Sequence, residues 1–164
     1  MLILACAHPT ASRAYSQYAP PHPSAKRYKV VRTFEAVVSR YIKPERKYYK
    51  SDDAYLDAIN LNGSGNRTIF GTKPEANFTI AADVIRVKNG QKRGTIERGT
   101  IVKIKGEGIN LTGKVDDCCV AAAKLWKKKK KVQFDVFAKM SQKQADAWGK
   151  RSMTVEILQE VAER

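Results

Sequence analysis

The chain has 164 residues, 43% of them hydrophobic, and its 31 Lys and Arg against 16 Asp and Glu give a formal net charge of +15. That apolar share excludes a globally disordered chain, and no apolar run approaches membrane-spanning length. The charge excess repels itself in a compact state and points to a polyanionic partner, a nucleic acid first and a membrane surface only second, since no lipid anchor or amphipathic helix is evident.

Residues 1–25 read as a flexible tail or targeting leader. No Asp or Glu precedes Glu35, whereas Arg13, Lys26, Arg27, Lys29 and Arg32 do, and Pro9, Pro20, Pro21 and Pro23 exclude a long amphipathic helix. This composition suits an intracellular protein with an organellar, mitochondrial address, or a basic arm lying on nucleic acid. Residues 26–164 are then expected to form one domain.

From Tyr28 to Ser39 apolar and β-branched residues alternate, which predicts a strand. Ser51 or Asp52 is placed to cap a short helix carrying Tyr55, Leu56 and Ile59, and Asn60–Arg67 reads as a loop. Phe78, Ile80 and Ala82 alternate, and Asn89-Gly90 is a hairpin signal. In the next strand Thr100, Val102 and Ile104 face inward while Ile101, Lys103 and Lys105 face outward. The pattern resumes over Ile109–Val115.

Asp116-Asp117 is expected to open a helix through Cys118, Ala121, Ala122 and Leu125, closed by Lys127–Lys131 in keeping with the helix dipole. Val132, Phe134, Val136 and Ala138 alternate as a strand. Ser141 and Gln144 make a capping box, Gly149 ends that helix, and Met153, Val155 and Ile157 form a last strand. The fold class is α+β: an antiparallel β-sheet or small SH3-/OB-like barrel, two to three short helices and a basic N-terminal tail.

Arg98–Gly108, leading to Thr112-Gly113-Lys114-Val115, locally resembles the KOW motif of ribosomal and transcription-factor SH3-like barrels. The resemblance implies a small barrel that binds RNA.

Two stretches carry the binding expectation. Arg40, Lys43, Arg46, Lys47 and Lys50 interleave with Tyr41, Tyr48 and Tyr49, which pairs charge for a phosphate backbone with rings for exposed bases. Lys127, Lys128, Lys129, Lys130 and Lys131 form a run whose self-repulsion falls on meeting phosphates. Lys92, Arg93, Lys103 and Lys105 extend the basic set.

Catalysis is not expected. The two histidines, His8 and His22, lie in the tail, and helix capping accounts for Asp116-Asp117. Cys6, Cys118 and Cys119 form no CxxC pair, so neither zinc nor a disulfide framework is indicated. No cofactor or metal is expected. The expected function is a structural RNA-binding component of a ribonucleoprotein, such as an organellar ribosome, with RNA favoured over DNA and neighbouring proteins of a large assembly as partners. The alternatives are an OB-type single-stranded-DNA-binding protein and a viral or phage coat component contacting packaged genome.

Overall fold

The computed structural model describes residues 26–62 and 65–161. The tail and both histidines lie outside the described residues. In chain order the elements are β1 (Tyr28–Tyr41), a 3-10 turn (Arg46–Tyr48), α1 (Asp52–Asn62), β2 (Thr79–Ala82), β3 (Arg86–Lys88), β4 (Gln91–Arg93), β5 (Ile101–Gly106), β6 (Ile109–Cys118), α2 (Val120–Lys129), β7 (Gln133–Phe137), α3 (Gln142–Trp148) and β8 (Arg151–Glu160).

Six strands close a barrel in the order β1-β7-β2-β6-β5-β8, and β3-β4 stand apart as a hairpin. The small-barrel form of the expected α+β fold is therefore the one found. Its pairings are mixed: β1–β7 and β2–β6 run parallel, the other four antiparallel. Parallel neighbours require long connections: α1 and α2 lie within the one from β1 to β7, and β3, β4 and β5 within the one from β2 to β6.

The alternation seen in the sequence fills the barrel. Val38, Ile80, Val102, Ile104, Val115, Phe134, Val136 and Val155 are fully buried, β-branched residues predominating as a pleated interior favours. Lys103 and Lys105 take the outward positions of β5, and Thr100 precedes the strand. Asn89 and Gly90 both have positive φ, 51° and 72°, as the two-residue hairpin between β3 and β4 demands.

The helix ends follow local chemistry. The Ser51 hydroxyl accepts from the Ala54 amide at 3.2 Å, and α1 runs on to Asn62, past the predicted loop start. Ser141 and Gln144 form the expected capping box on α3, and Gly149 closes it at φ 63°. Among the described residues no helix is long and apolar enough to cross a membrane.

One expectation fails. Asp116 and Asp117 do not open a helix; they lie inside β6, and α2 starts at Val120 behind an N-cap supplied by Cys119. The thiol accepts from the Ala122 amide at 3.4 Å. An acid pair before an alanine-rich segment mimics a helix start, but β2 lies alongside and hydrogen-bonds this part of the chain as strand.

Gly113 permits the approach of β2 to β6. A Cβ there would fall 2.6 Å from the Phe78 carbonyl oxygen and 2.7 Å from Ile80 Cδ1. Backbone cannot yield as a flexible side chain does, so Gly113→Ala should cost about 3 kcal/mol, the upper end of the overpacking range. Urea denaturation checks this; an unchanged midpoint would show that the strands have slack.

Candidate active site

A β-bulge sets the site. β2 pairs Ile80 with Val115 and then Ala81 with Asp117, so Asp116 is the extra residue on β6. On the other edge of β2, Ala81 pairs with Asp135 of β7, which in turn pairs with Ser39 of β1. Ser39, Asp135, Ala81 and Asp117 thus form one row across four strands. Their neighbours Val38, Phe134, Ile80 and Val115 fill the core, so by period-two alternation the row faces away from the barrel interior. Two strand spacings, roughly 10 Å, separate the Cα atoms of the two aspartates.

The two carboxyl groups have different surroundings. Both oxygens of Asp117 are hydrogen-bonded: Tyr41 Oη donates to Oδ2 at 3.1 Å, and the Ile69 and Cys118 amides donate to Oδ1 at 3.0 and 2.8 Å, which leaves Oδ2 one acceptor site. Asp135 keeps one oxygen, Oδ1, buried without a hydrogen-bond partner. Burial pushes its pKa up to about 6, with the Asp117 charge adding to the rise and Ser39 and Lys150 opposing it.

Burial also sets the state of the neighbours. The Tyr41 phenol is held far above its ordinary value by burial first and the Asp117 charge second. The Cys119 thiol, 4.0 Å from Asp135 Oδ2, is pushed up to about 11 by burial and by Asp135. It is a protonated thiol and a poor nucleophile. What the row offers is a carboxyl that keeps its proton to nearly neutral pH, beside a carboxylate held by three donors.

Access comes from two hollows that share the Asp117–Val120 segment as a wall. One, of about 260 Å³, is lined by Tyr41, Ala81, Asp117, Cys119, Lys124 and Asp135. Ala81 contributes only a methyl group and so leaves room between the acids. The other, of about 490 Å³, carries Arg67, Ile69, Asp83 and Arg86. Burial raises the pKa of Asp83, a third carboxyl in the trough. Ile69 and Val120, each 61% exposed, form an apolar lip.

Asp116, one residue away, belongs to the framework. It accepts from Thr72 Oγ1 at 2.6 Å and from Arg98 Nε at 2.7 Å, and the Arg98 guanidinium lies 4.3 Å from the Phe70 ring centroid. Burial would raise its pKa, but the hydrogen bonds from Thr72 and Arg98 and the Arg98 charge outweigh this and hold it below the usual carboxylate range. Its contribution to stability is present above the unfolded pKa and is lost as pH falls through the lower folded one. Asp116→Ala should therefore lower the thermal midpoint by several degrees at pH 7, with a difference that shrinks in acid; equal losses at pH 7 and pH 2.5 would refute the electrostatic account.

The residues singled out in the sequence do not converge. Arg40 donates to Asn77 Oδ1 at 2.7 Å, lies 5.1 Å from the Trp148 ring and has its Nε buried. Desolvation, then the Arg151 charge, lowers its pKa. Arg46 pairs with Asp52, and Lys47 with Glu45 at 2.5 Å. Tyr49 packs on Tyr55 at 5.6 Å between centroids, while Tyr48 is exposed beside a hollow that Lys43 also lines. Lys50 is exposed. Lys92 and Arg93 sit on the exposed hairpin, and Lys103 lies on β5 with Lys105, which pairs with Glu156 at 2.5 Å.

Lys127–Lys129 end α2, Lys130 takes the left-handed cap position with its ammonium 5.6 Å from the Trp126 ring, and Lys131 follows. All five are exposed. The carboxylate row was missed. Its one local signal is an acid inside an apolar strand pattern, at Asp135 between Phe134 and Val136 and at Asp116-Asp117 after Val115. Among the described residues no cluster of three or more His, Cys, Asp or Glu is arranged to hold a metal ion. No protein-family model matches the chain, and no curated protein matches its sequence.

Proposed function

We propose that the chain is a carboxylate-dependent acid/base enzyme that cleaves glycosidic bonds in a polysaccharide. The observation that carries this reading is Asp135, a carboxyl raised to about 6 with a buried, unpartnered oxygen, in one row with Asp117, whose carboxylate is held by three donors. Two carboxyl groups in contrasting environments divide acid and base roles between them. Asp135 donates its proton to the glycosidic oxygen as the C–O bond breaks. Asp117 accepts a proton from the attacking hydroxyl, that of water or of the sugar itself. Tyr41 positions Asp117 through its hydroxyl.

Glycan chemistry suits the site better than phosphoryl transfer. Carboxylates repel a phosphodiester but accept hydrogen bonds from sugar hydroxyls, and two adjoining hollows accommodate successive units of a chain. The test is incubation with chito-, cello-, xylo- and pectic oligosaccharides and bacterial cell-wall glycan, with new chain ends read by mass spectrometry. Cleavage by the wild type but not by Asp135→Asn supports the reading. Absence of cleavage across the panel, or equal cleavage by both, overturns it.

A second reading rests on Lys127–Lys131. These side chains form no ion pair among the described residues, so they remain available to a phosphate backbone, RNA before DNA, in a ribonucleoprotein. Retention of defined RNA through native purification supports this reading; loss of all nucleic acid at low salt overturns it.

A further inference from the structure

On another part of the surface a hollow of about 400 Å³ lies between the end of β1, the 65–74 loop and the segment that follows β7. It rests on neither functional reading, since it contains no residue of the carboxylate row and none of the lysine run. Its size falls in the range of small-molecule sites, which combine apolar walls with a few placed polar groups. Ile42, Phe137 and Pro74 are buried in its wall, and the exposed Tyr48 ring stands beside them.

Three exposed lysines contribute to its lining: Lys43, Lys73 and Lys139. They come from three separate segments, and none pairs with a carboxylate among the described residues. The one carboxylate in the lining, Glu45, is taken by Lys47 at 2.5 Å. Lys47 also lies 5.0 Å from the Tyr48 ring centroid, which occupies part of that ring's surroundings. The lining therefore holds three like charges, and its one carboxylate is already paired with Lys47.

The wall itself is fixed. Gly65 has φ +67°, and a Cβ there would fall 2.5 Å from the Lys43 Cα. The loop can pass this close to the β1 exit only as glycine. Chain segments distant in sequence are thus held around a hollow with apolar walls and lysines in its lining.

We propose that this hollow binds a small phosphomonoester with an aromatic body, of which a nucleoside 5′-monophosphate is the simplest example. The doubly charged phosphate meets Lys43, Lys73 and Lys139 and relieves their mutual repulsion. The flat body enters over Ile42 and Phe137 and stacks at Tyr48.

Isothermal titration of the full chain with adenosine 5′-monophosphate, adenosine, inorganic phosphate and octyl phosphate tests this. The monophosphate should bind one to one, at least tenfold tighter than either adenosine or phosphate alone. The triple variant K43Q/K73Q/K139Q should lose at least thirtyfold in affinity with an unchanged thermal midpoint, and Tyr48→Leu about tenfold. Should the triple variant unfold, Lys73→Gln alone must weaken binding at least threefold. No saturable binding, a drop in affinity on replacing Lys128–Lys130 instead, or full affinity in the folded variants of the lining lysines overturns the site. Octyl phosphate binding as tightly as the nucleotide overturns the aromatic assignment.

Discussion

Asp135→Asn should abolish glycan cleavage and at the same time make the protein more stable at neutral pH. Removing a general acid costs about 10²–10⁴-fold in rate. The stability gain follows from linkage. A carboxyl raised from 3.8 to about 6 in the folded state binds its proton more tightly when folded, so stability falls as pH rises from about 4 through 6. Above pH 6 the wild type carries the whole penalty, about 3 kcal/mol, and the neutral Asn variant does not.

Urea denaturation at pH 7 and pH 4 separates this from a packing effect: the gain should be present at the first and nearly absent at the second. The rate of the wild type should also decline above pH 6 as the acid loses its proton. A variant that is equally stabilised at both pH values, or that keeps its activity, would remove Asp135 from the chemistry.

The second large effect concerns polyanion binding. Replacing Lys128, Lys129 and Lys130 by Gln should weaken binding to single-stranded and duplex RNA alike. A log–log salt slope of about −4 to −8 should flatten by about 2–3, near one unit for each phosphate no longer neutralised. The measurement is a fluorescence titration at several salt concentrations. An unchanged slope would assign this run to solvation of the helix end, and an affinity indifferent to salt would remove the electrostatic account altogether.

The strands with strong alternation were legible in the sequence, because a buried face leaves its period in the residues. Val102 and Ile104, Phe134 and Val136, and Met153 and Val155 all point inward as expected. Turn and cap chemistry was equally readable at Asn89-Gly90 and Ser141–Gln144. What local patterns do not encode is which strand lies beside which. Asp117 and Asp135 meet across Ala81 only because β2 is parallel to β6 and antiparallel to β7.

The same gap explains the misplaced helix start. The sequence around Asp116-Asp117 satisfies the local rules of an N-terminus, yet Asp116 is engaged by Thr72 and Arg98, and Asp117 by Tyr41 and Ile69, all from other segments of the chain. The basic–aromatic stretch shows the converse. Its composition suggests one surface, but Arg40 turns to Trp148, Tyr49 packs on Tyr55 and the Tyr48 ring lies beside Lys47, because the chain leaves β1 and bends through the 3-10 turn.

The barrel order also constrains how the chain reaches its native state. Both neighbours of β1 are late elements: Val37 pairs with Gln133 on β7, and Tyr28 with Glu160 on β8. During synthesis the fourteen residues of β1 emerge before every other described strand and wait, with both backbone edges open, until β7 and β8 have been made. Closure of such distant ends is entropically slow, and an unpaired strand of that length is a template for self-association. Chaperone demand and sensitivity to premature termination should therefore be properties of this protein's topology, whatever its surface binds.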